Sequence, residues 1–243
     1  FWTGFFLGGL LSLIVGCLLG LTSLRLRADY LGIATLGFTQ ILSSIFQNWT
    51  DVTRGPLGLP GIPRPGLFGF PLTEKFHYFL FVLAITALLI FLMHRLVKSP
   101  FGRVLETIRD DEIGAKMLGK NTLAYKLAIF SLGSMIAGFA GVLYAHFITF
   151  IDPHSFTLEE MGTVLVMLMV GGLGTFRGPF YGVALILFLQ EGVRFLNLPP
   201  QVVGPLQLLL YSLLFLIVMM YFPQGIGGFL KHKHRRRKQL TSY

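Results

Sequence analysis

Apolar residues run through this chain in long unbroken blocks, without the period-two alternation of half-buried strands. A helix that crosses a bilayer needs about 20 mostly apolar residues. Charge-free runs of that order occupy residues 1–24, 30–50, 76–94 and 127–151. Past Asp152 the pattern shortens. Two apolar stretches, 161–176 and 178–190, are separated by Arg177, and 206–222 forms a compact last run. The pattern predicts an all-α, polytopic transmembrane helical bundle with up to seven crossings, in which 161–190 is the least regular region.

Two connecting segments stand out from these runs. Residues 51–75 carry Pro56, Pro60, Pro63, Pro65 and Pro71 among many glycines, which forbids a continuous helix. Flexible linkers are polar, whereas this segment holds Leu57, Leu59, Ile62, Leu67, Phe68 and Phe70. It is read as an ordered cap or re-entrant loop packed on the protein, with a plain linker as the alternative. Residues 98–126 are charged and helix-favouring, with Arg109/Glu112 and Glu112/Lys116 at supporting spacing. Val104, Ile108, Ala115 and Gly119 fall on one helical face, interrupted by the acids 110–112. Such a helix outside the membrane should dock on something; the bland alternative is a loop packed on its own helices.

Charge fixes the orientation expected of the bundle. With 24–29, 94–126, 177 and 223–243 on one side, that side holds 16 of the 20 Lys and Arg, and the other holds only Arg54, Arg64, Lys75 and Arg194. Basic residues gather on the cytoplasmic side, so the C-terminus is expected inside and the start of the chain outside. The basic tail 223–243 should lie against anionic headgroups. The same bias accounts for the net charge of +9 and points away from nucleic acid. Composition agrees with a lipid bilayer as the surroundings, at 53% hydrophobic and 13% charged residues, against about 25% charged in soluble domains. The chain opens on Phe1-Trp2 with no basic n-region or cleavage site. It is therefore expected to be a piece of a longer protein, a single transmembrane domain over 1–243 whose further spans lie upstream.

Candidate chemistry is sparse. The single cysteine, Cys17, sits in an apolar run, and the six histidines show no metal-ligand spacing. Residues 114–120 fit GxxxxGK, but Asn121 stands where a nucleotide loop needs Ser or Thr, and no apolar strand precedes it. No catalytic, cofactor or metal site is expected. Ionisable groups inside membrane spans are functional by default, and here they are few, which weakens a proton- or sodium-driven carrier. The second run instead holds Thr35, Thr39, Gln40, Ser43, Ser44 and Gln47. These either line a path for a polar solute or make helix contacts. Gly171, Gly172 and the glycines that follow suggest a broken helix beside a cavity, as in transporters, or a simple turn. Gly133, Ala137, Gly141 and Ala145, four apart, mark an expected close helix contact.

The stretch GRVLETIRDDEIGAKMLGKN resembles the coupling loop of ABC-transporter permeases for branched-chain amino acids, the LivM type. The likeness continues upstream in LRLRADYLGIATLGFTQI and NWTDVTRGPLGLPGIPRP, and downstream in YKLAIFSLGSMIAGFAGVLYAHF, FIDPHSF and VGGLGTFRGPFYG. It implies half of a membrane channel, paired with a second permease subunit. Two ATP-binding cassette ATPase subunits would dock on the loop, and an external solute-binding protein would deliver leucine, isoleucine or valine. Related subfamilies move other amino acids, urea or short amides. The loop residues it singles out are Arg103, Val104, Ile108, Arg109, Glu112, Ala115 and Gly119, on one cytoplasmic helical segment over 103–119. In the general pattern Glu-Ala-Ala, three residues, Gly, Ala115 and Gly119 fit. Ile113 and Gly114 depart from it, and Glu112 stands one residue early. Thr39, Gln40, Ser43, Ser44, Gly171 and Gly172 are the candidate translocation path. The rival readings are a secondary carrier or channel for a small polar solute such as urea or an amide, and a structural membrane subunit.

Overall fold

A computed structural model describes residues 1–24, 26, 28–67, 70–71, 74–172, 178–195 and 199–221. They are almost wholly helical, and the chain forms two compact units, Phe1–Ser155 and Phe156–Tyr243. The first holds α1 (Trp2–Ser23), α2 (Ala28–Asn48), the single turn α3 (Thr50–Thr53), α4 (Lys75–Lys98), α5 (Pro100–Asp110), α6 (Glu112–Met117) and α7 (Thr122–Ile148). The second holds α8 (Leu158–Gly171), α9 (Gly178–Arg194) and α10 (Pro200–Tyr221).

Helix ends follow side chains that compete with the backbone. Ser99, Asp111, Asn121 and Thr157 each accept a hydrogen bond from an otherwise unpaired N–H of the helix that follows. Asp111 does so twice, from Ile113 N and Gly114 N at 3.0 Å. That cap divides the expected single segment 103–119 into α5 and α6.

Among the described residues, four helical stretches are long and apolar enough to span a membrane: α1, α4, α7 and Gln201–Val218 of α10. The polar residues of α2 dilute its 21 residues. The 14 residues of α8 and the 17 of α9 rise about 21 and 26 Å at 1.5 Å per residue, short of the roughly 30 Å hydrocarbon core.

The tightest contact in the first unit joins α1 to α7. A Cβ on Gly8 would strike Val142, one on Gly9 would strike Phe139, one on Gly16 would strike Ser134, and one on Gly20 would come within 2.7 Å of Leu127. From the other side, a Cβ on Gly138 would lie 2.8 Å from the Gly8 carbonyl oxygen. Small residues let membrane helices approach this closely. Beside the seam, Phe5 stacks on Phe139 with centroids 4.4 Å apart. Phe5, Tyr78, Phe81, Phe139 and Leu143 form the buried cluster. The Tyr78 hydroxyl donates to the Leu143 carbonyl at 2.6 Å and ties α4 to α7. This corrects the expected contact face. Nothing lies within 4 Å of a Cβ on Gly133 or Gly141, Ala137 is exposed, and of that series only Ala145 is buried.

The proline-rich segment is ordered where described. β1 (Leu59–Pro60) pairs antiparallel with β4 (Phe150–Ile151), matching Leu59 with Ile151, and Ile62 N donates to Thr149 O at 3.2 Å. β2 (Gly66–Leu67) pairs with β3 (Phe70–Pro71). The approach needs glycine at 58, where φ is +67° and a Cβ would sit 2.5 Å from the Ile151 carbonyl oxygen. The segment is thus a cap held to the end of α7, and the linker alternative fails at these residues.

In the second unit α8 and α9 approach backbone to backbone. A Cβ on Gly171 would strike the Gly178 carbonyl, and one on Gly182 would strike the Met167 carbonyl. Val170, Ile186, Val193, Tyr211 and Val218 are buried. The expectations that fall on Gly174, Arg177 and the basic tail 223–243 lie outside the described residues.

Candidate functional site

The charged segment between α4 and α7 is built as a small rigid bracket. A Cβ on Gly102 would strike the Val97 backbone, so α5 turns sharply off the end of α4. Ile108 on α5 is 5% exposed and Ala115 on α6 is fully buried, so both face the chain's own interior. Val104 is half-buried, and Arg103 and Arg109 are exposed. Arg109 pairs with Asp110, its Nη2 2.9 Å from Oδ1, and not with Glu112.

Glu112 anchors α6 to α7. Its Oε2 accepts from Lys126 Nζ at 2.5 Å; its Oε1 accepts from Thr122 Oγ1 at 3.2 Å and lies 3.3 Å from Lys116 Nζ. The Lys126 hydrogen bond holds the carboxyl below the usual glutamate range, against the opposing effect of desolvation. The segment ends as its glycine predicts. Gly119 has φ +73°, its N–H donates to Lys116 O, and Lys120 N–H donates to Ala115 O. These two bonds make a Schellman cap.

Two expectations about this segment change. Ile108 and Ala115 cannot supply an apolar docking contact, because the fold already buries them. A bulky residue at Ala115 would therefore break the bracket and not merely obstruct a partner. The exposed apolar side chains are Ile113 at 67%, Met117 at 82% and Leu118 at 73%. Sequence periodicity misses them because it draws the helical face through one continuous helix. The D-E-I-G run, an N-cap followed by a helix start, was the signal available.

The second candidate region is α2. At 3.6 residues per turn, Thr35, Thr39, Gln40, Ser43, Ser44 and Gln47 share one half of its circumference. None of its described side chains is buried; Thr39, Gln40 and Ser44 are exposed and Ser43 half-buried. Part of this polar face satisfies itself. Thr35 and Thr39 donate to carbonyls of the preceding turn, and Gln47 Nε2 donates to Ser43 Oγ at 3.3 Å. These groups therefore make few helix–helix contacts within the chain. Gly171 and Gly172 lie elsewhere, in the second unit, both buried, where α8 stops at Gly172 with φ +101°. Among the described residues no three His, Cys, Asp or Glu side chains converge on a metal site.

Comparison with known proteins follows the same outline. Residues 1–222 match the family described as the permease component of branched-chain amino acid transport systems. LivM of Salmonella typhimurium, a high-affinity branched-chain amino acid transport system permease protein, is 34% identical over 93% of this chain. The protein of the same description in Escherichia coli is 33% identical over the same share. The LivM of Methanocaldococcus jannaschii is 28% identical over 90% of this chain and 66% of its own. The chain spans 57% of the length of the two bacterial relatives. No solved structure matches. A charged bracket between two helices long and apolar enough to span a membrane and this match over nearly the whole length agree: the chain belongs to the branched-chain amino acid transport system permease family.

Proposed function

We propose that this chain is the membrane-spanning permease subunit of an ABC importer in the cell inner membrane, moving branched-chain or related amino acids. ATP is hydrolysed by separate subunits, and the chain carries no ATPase site or cofactor of its own. Its partners are a second permease subunit, two ATP-binding cassette ATPase subunits and an external solute-binding protein. The C-terminus and the α5–α6 bracket face the cytoplasm, and the proline-rich cap faces outward. The polar half of α2, with Thr39, Gln40, Ser43 and Ser44, lines the translocation path.

The observation that carries this reading is the bracket. An ATPase outside the membrane can drive a permease only through a contact that moves as one piece with the spans. Asp111 caps α6 and Glu112 fixes it to the start of α7, while Ile113, Met117 and Leu118 stay exposed at its tip. That tip is the docking surface, with Arg103 and Arg109 setting register beside it.

The test is leucine uptake and stimulated ATP hydrolysis in vesicles reconstituted with the co-purifying subunits. Met117→Asp and Leu118→Asp should abolish both while leaving the thermal stability of the chain unchanged. Ala115→Trp should lower that stability as well. Wild-type uptake and ATP hydrolysis in both tip variants would mean that the bracket does not couple ATP to transport.

A further inference from the structure

Where α1 ends and α7 begins, the fold leaves a groove lined by Lys116, Lys120 and Lys126 together with Glu112. Leu24, Leu26 and Leu123 wall the same groove. Three ammonium groups share it with one carboxylate. Glu112 accepts from Lys126 and pairs with Lys116, so two positive charges are left over. Lys120 makes no ion pair among the described residues. Leu24 directly follows α1 and Leu123 lies in the first turn of α7, and both helices are long and apolar enough to span a membrane. The groove therefore sits where hydrocarbon meets water.

We propose that this groove holds the phosphate of an anionic phospholipid, with Lys116, Lys120 and Lys126 around the phosphate and the three leucines against the first methylenes of its acyl chains. Ammonium groups on a phosphate form charge-assisted hydrogen bonds, and clustered basic residues at a span edge attract anionic lipid. A free anion would need the lysines but not the apolar wall. A docking protein would need a broad exposed apolar surface; the most exposed apolar side chains nearby, Ile113, Met117 and Leu118, do not line the groove, where Leu26 alone of the three leucines is exposed. Lys116 belongs to α6 and Lys126 to α7. A phosphate between them therefore fastens the bracket to the membrane edge, independently of what the protein transports.

The experiment uses the full chain with its co-purifying subunits in nanodiscs of phosphatidylcholine with or without phosphatidylglycerol. Retained lipids are counted by native mass spectrometry. Phosphatidylglycerol should be retained in preference to phosphatidylcholine. Lys120→Gln should reduce that retention about fivefold, the attraction that one lysine exerts on an anionic membrane surface, and Lys116→Gln with Lys120→Gln should reduce it further. Both variants keep the Lys126–Glu112 bond, so unchanged melting shows that the bracket is intact. Lys98→Gln, at a span end outside the groove, should reduce retention clearly less than Lys120→Gln. Equal retention in wild type and variants would overturn the proposal, as would displacement of the lipid by excess inorganic phosphate, which would mark a free-anion site. Loss of a co-purifying subunit with lipid retention unchanged would mark the groove as a protein contact instead.

Discussion

Replacing Gly138 by alanine adds one methyl group to α7 at the point where α1 crosses it most closely. An ideal Cβ there lies 2.6 Å from Ser12 Cβ and 2.8 Å from the Gly8 carbonyl oxygen, whereas ordinary contact begins at 3.4 Å. Ser12 can rotate its hydroxyl away, but its Cβ and the Gly8 carbonyl are fixed to the helical backbone, so α1 must retreat by about 0.8 Å at Ser12 and about 0.6 Å at Gly8. Overpacking of this kind costs about 1–3 kcal/mol. Gly141 is the matched control, three residues along the same helix and with nothing within 4 Å of its Cβ. Both substitutions gain about 1 kcal/mol of helix propensity, so the gap between them isolates the seam. For a chain of this size each kcal/mol moves Tm by about 2–4 °C. The assay is built into the sequence. Cys17 is the only cysteine, half-buried on α1, so a thiol-reactive dye reports its exposure as the isolated chain melts in detergent. Gly141→Ala should melt at or above wild type, and Gly138→Ala below Gly141→Ala by several degrees. Equal melting of the two would refute the seam.

Three further outcomes follow from the same structure. The Glu112 carboxyl is held low chiefly by Lys126, so its contribution is complete above the ordinary glutamate range and is lost as pH falls through its lowered value; hydrogen-exchange protection of residues 112–118 should drop only on the acid side, and Glu112→Gln should abolish that step. Gly58→Ala puts a side chain at φ +67° against the Ile151 carbonyl and should cost about 1–3 kcal/mol, read as faster proteolysis within 51–75. Among the described residues no hydrogen bond of good geometry reaches the buried Tyr211 hydroxyl; removing such a group is neutral or stabilising, so Tyr211→Phe should melt no lower than wild type.

The long spans were legible because a run of 20 residues without charge has few other uses. The seam was not. Two faces of α7 carry small residues, Gly133/Ala137/Gly141 and Ser131/Ser134/Gly138, and a period cannot say which one meets a neighbour. The missing clue lay on α1, where Gly9, Gly16 and Gly20 share a face that only pairing with α7 explains. The expected single helix over 103–119 is divided for a local reason: Asp111 reads as one charge in an acidic cluster, whereas its carboxylate caps a new helix. The two-residue pairing of Leu59–Pro60 with Phe150–Ile151 joins segments about 90 residues apart, and no short-range pattern carries that. The Schellman end at Gly119 was legible, because one glycine after a short helix states its own conformation.

α2 has a consequence for the life of the protein before it works. A 21-residue helix with no buried described side chain and one polar half gains little from packing among the described residues, and in a bilayer its amides and hydroxyls would be costly wherever they met lipid. A copy in which neither further spans of the same protein nor a partner covers that face would be marked by its own surface for membrane quality control. Where a partner is the cover, the abundance of this chain in the cell should follow the supply of that partner and not its own rate of synthesis.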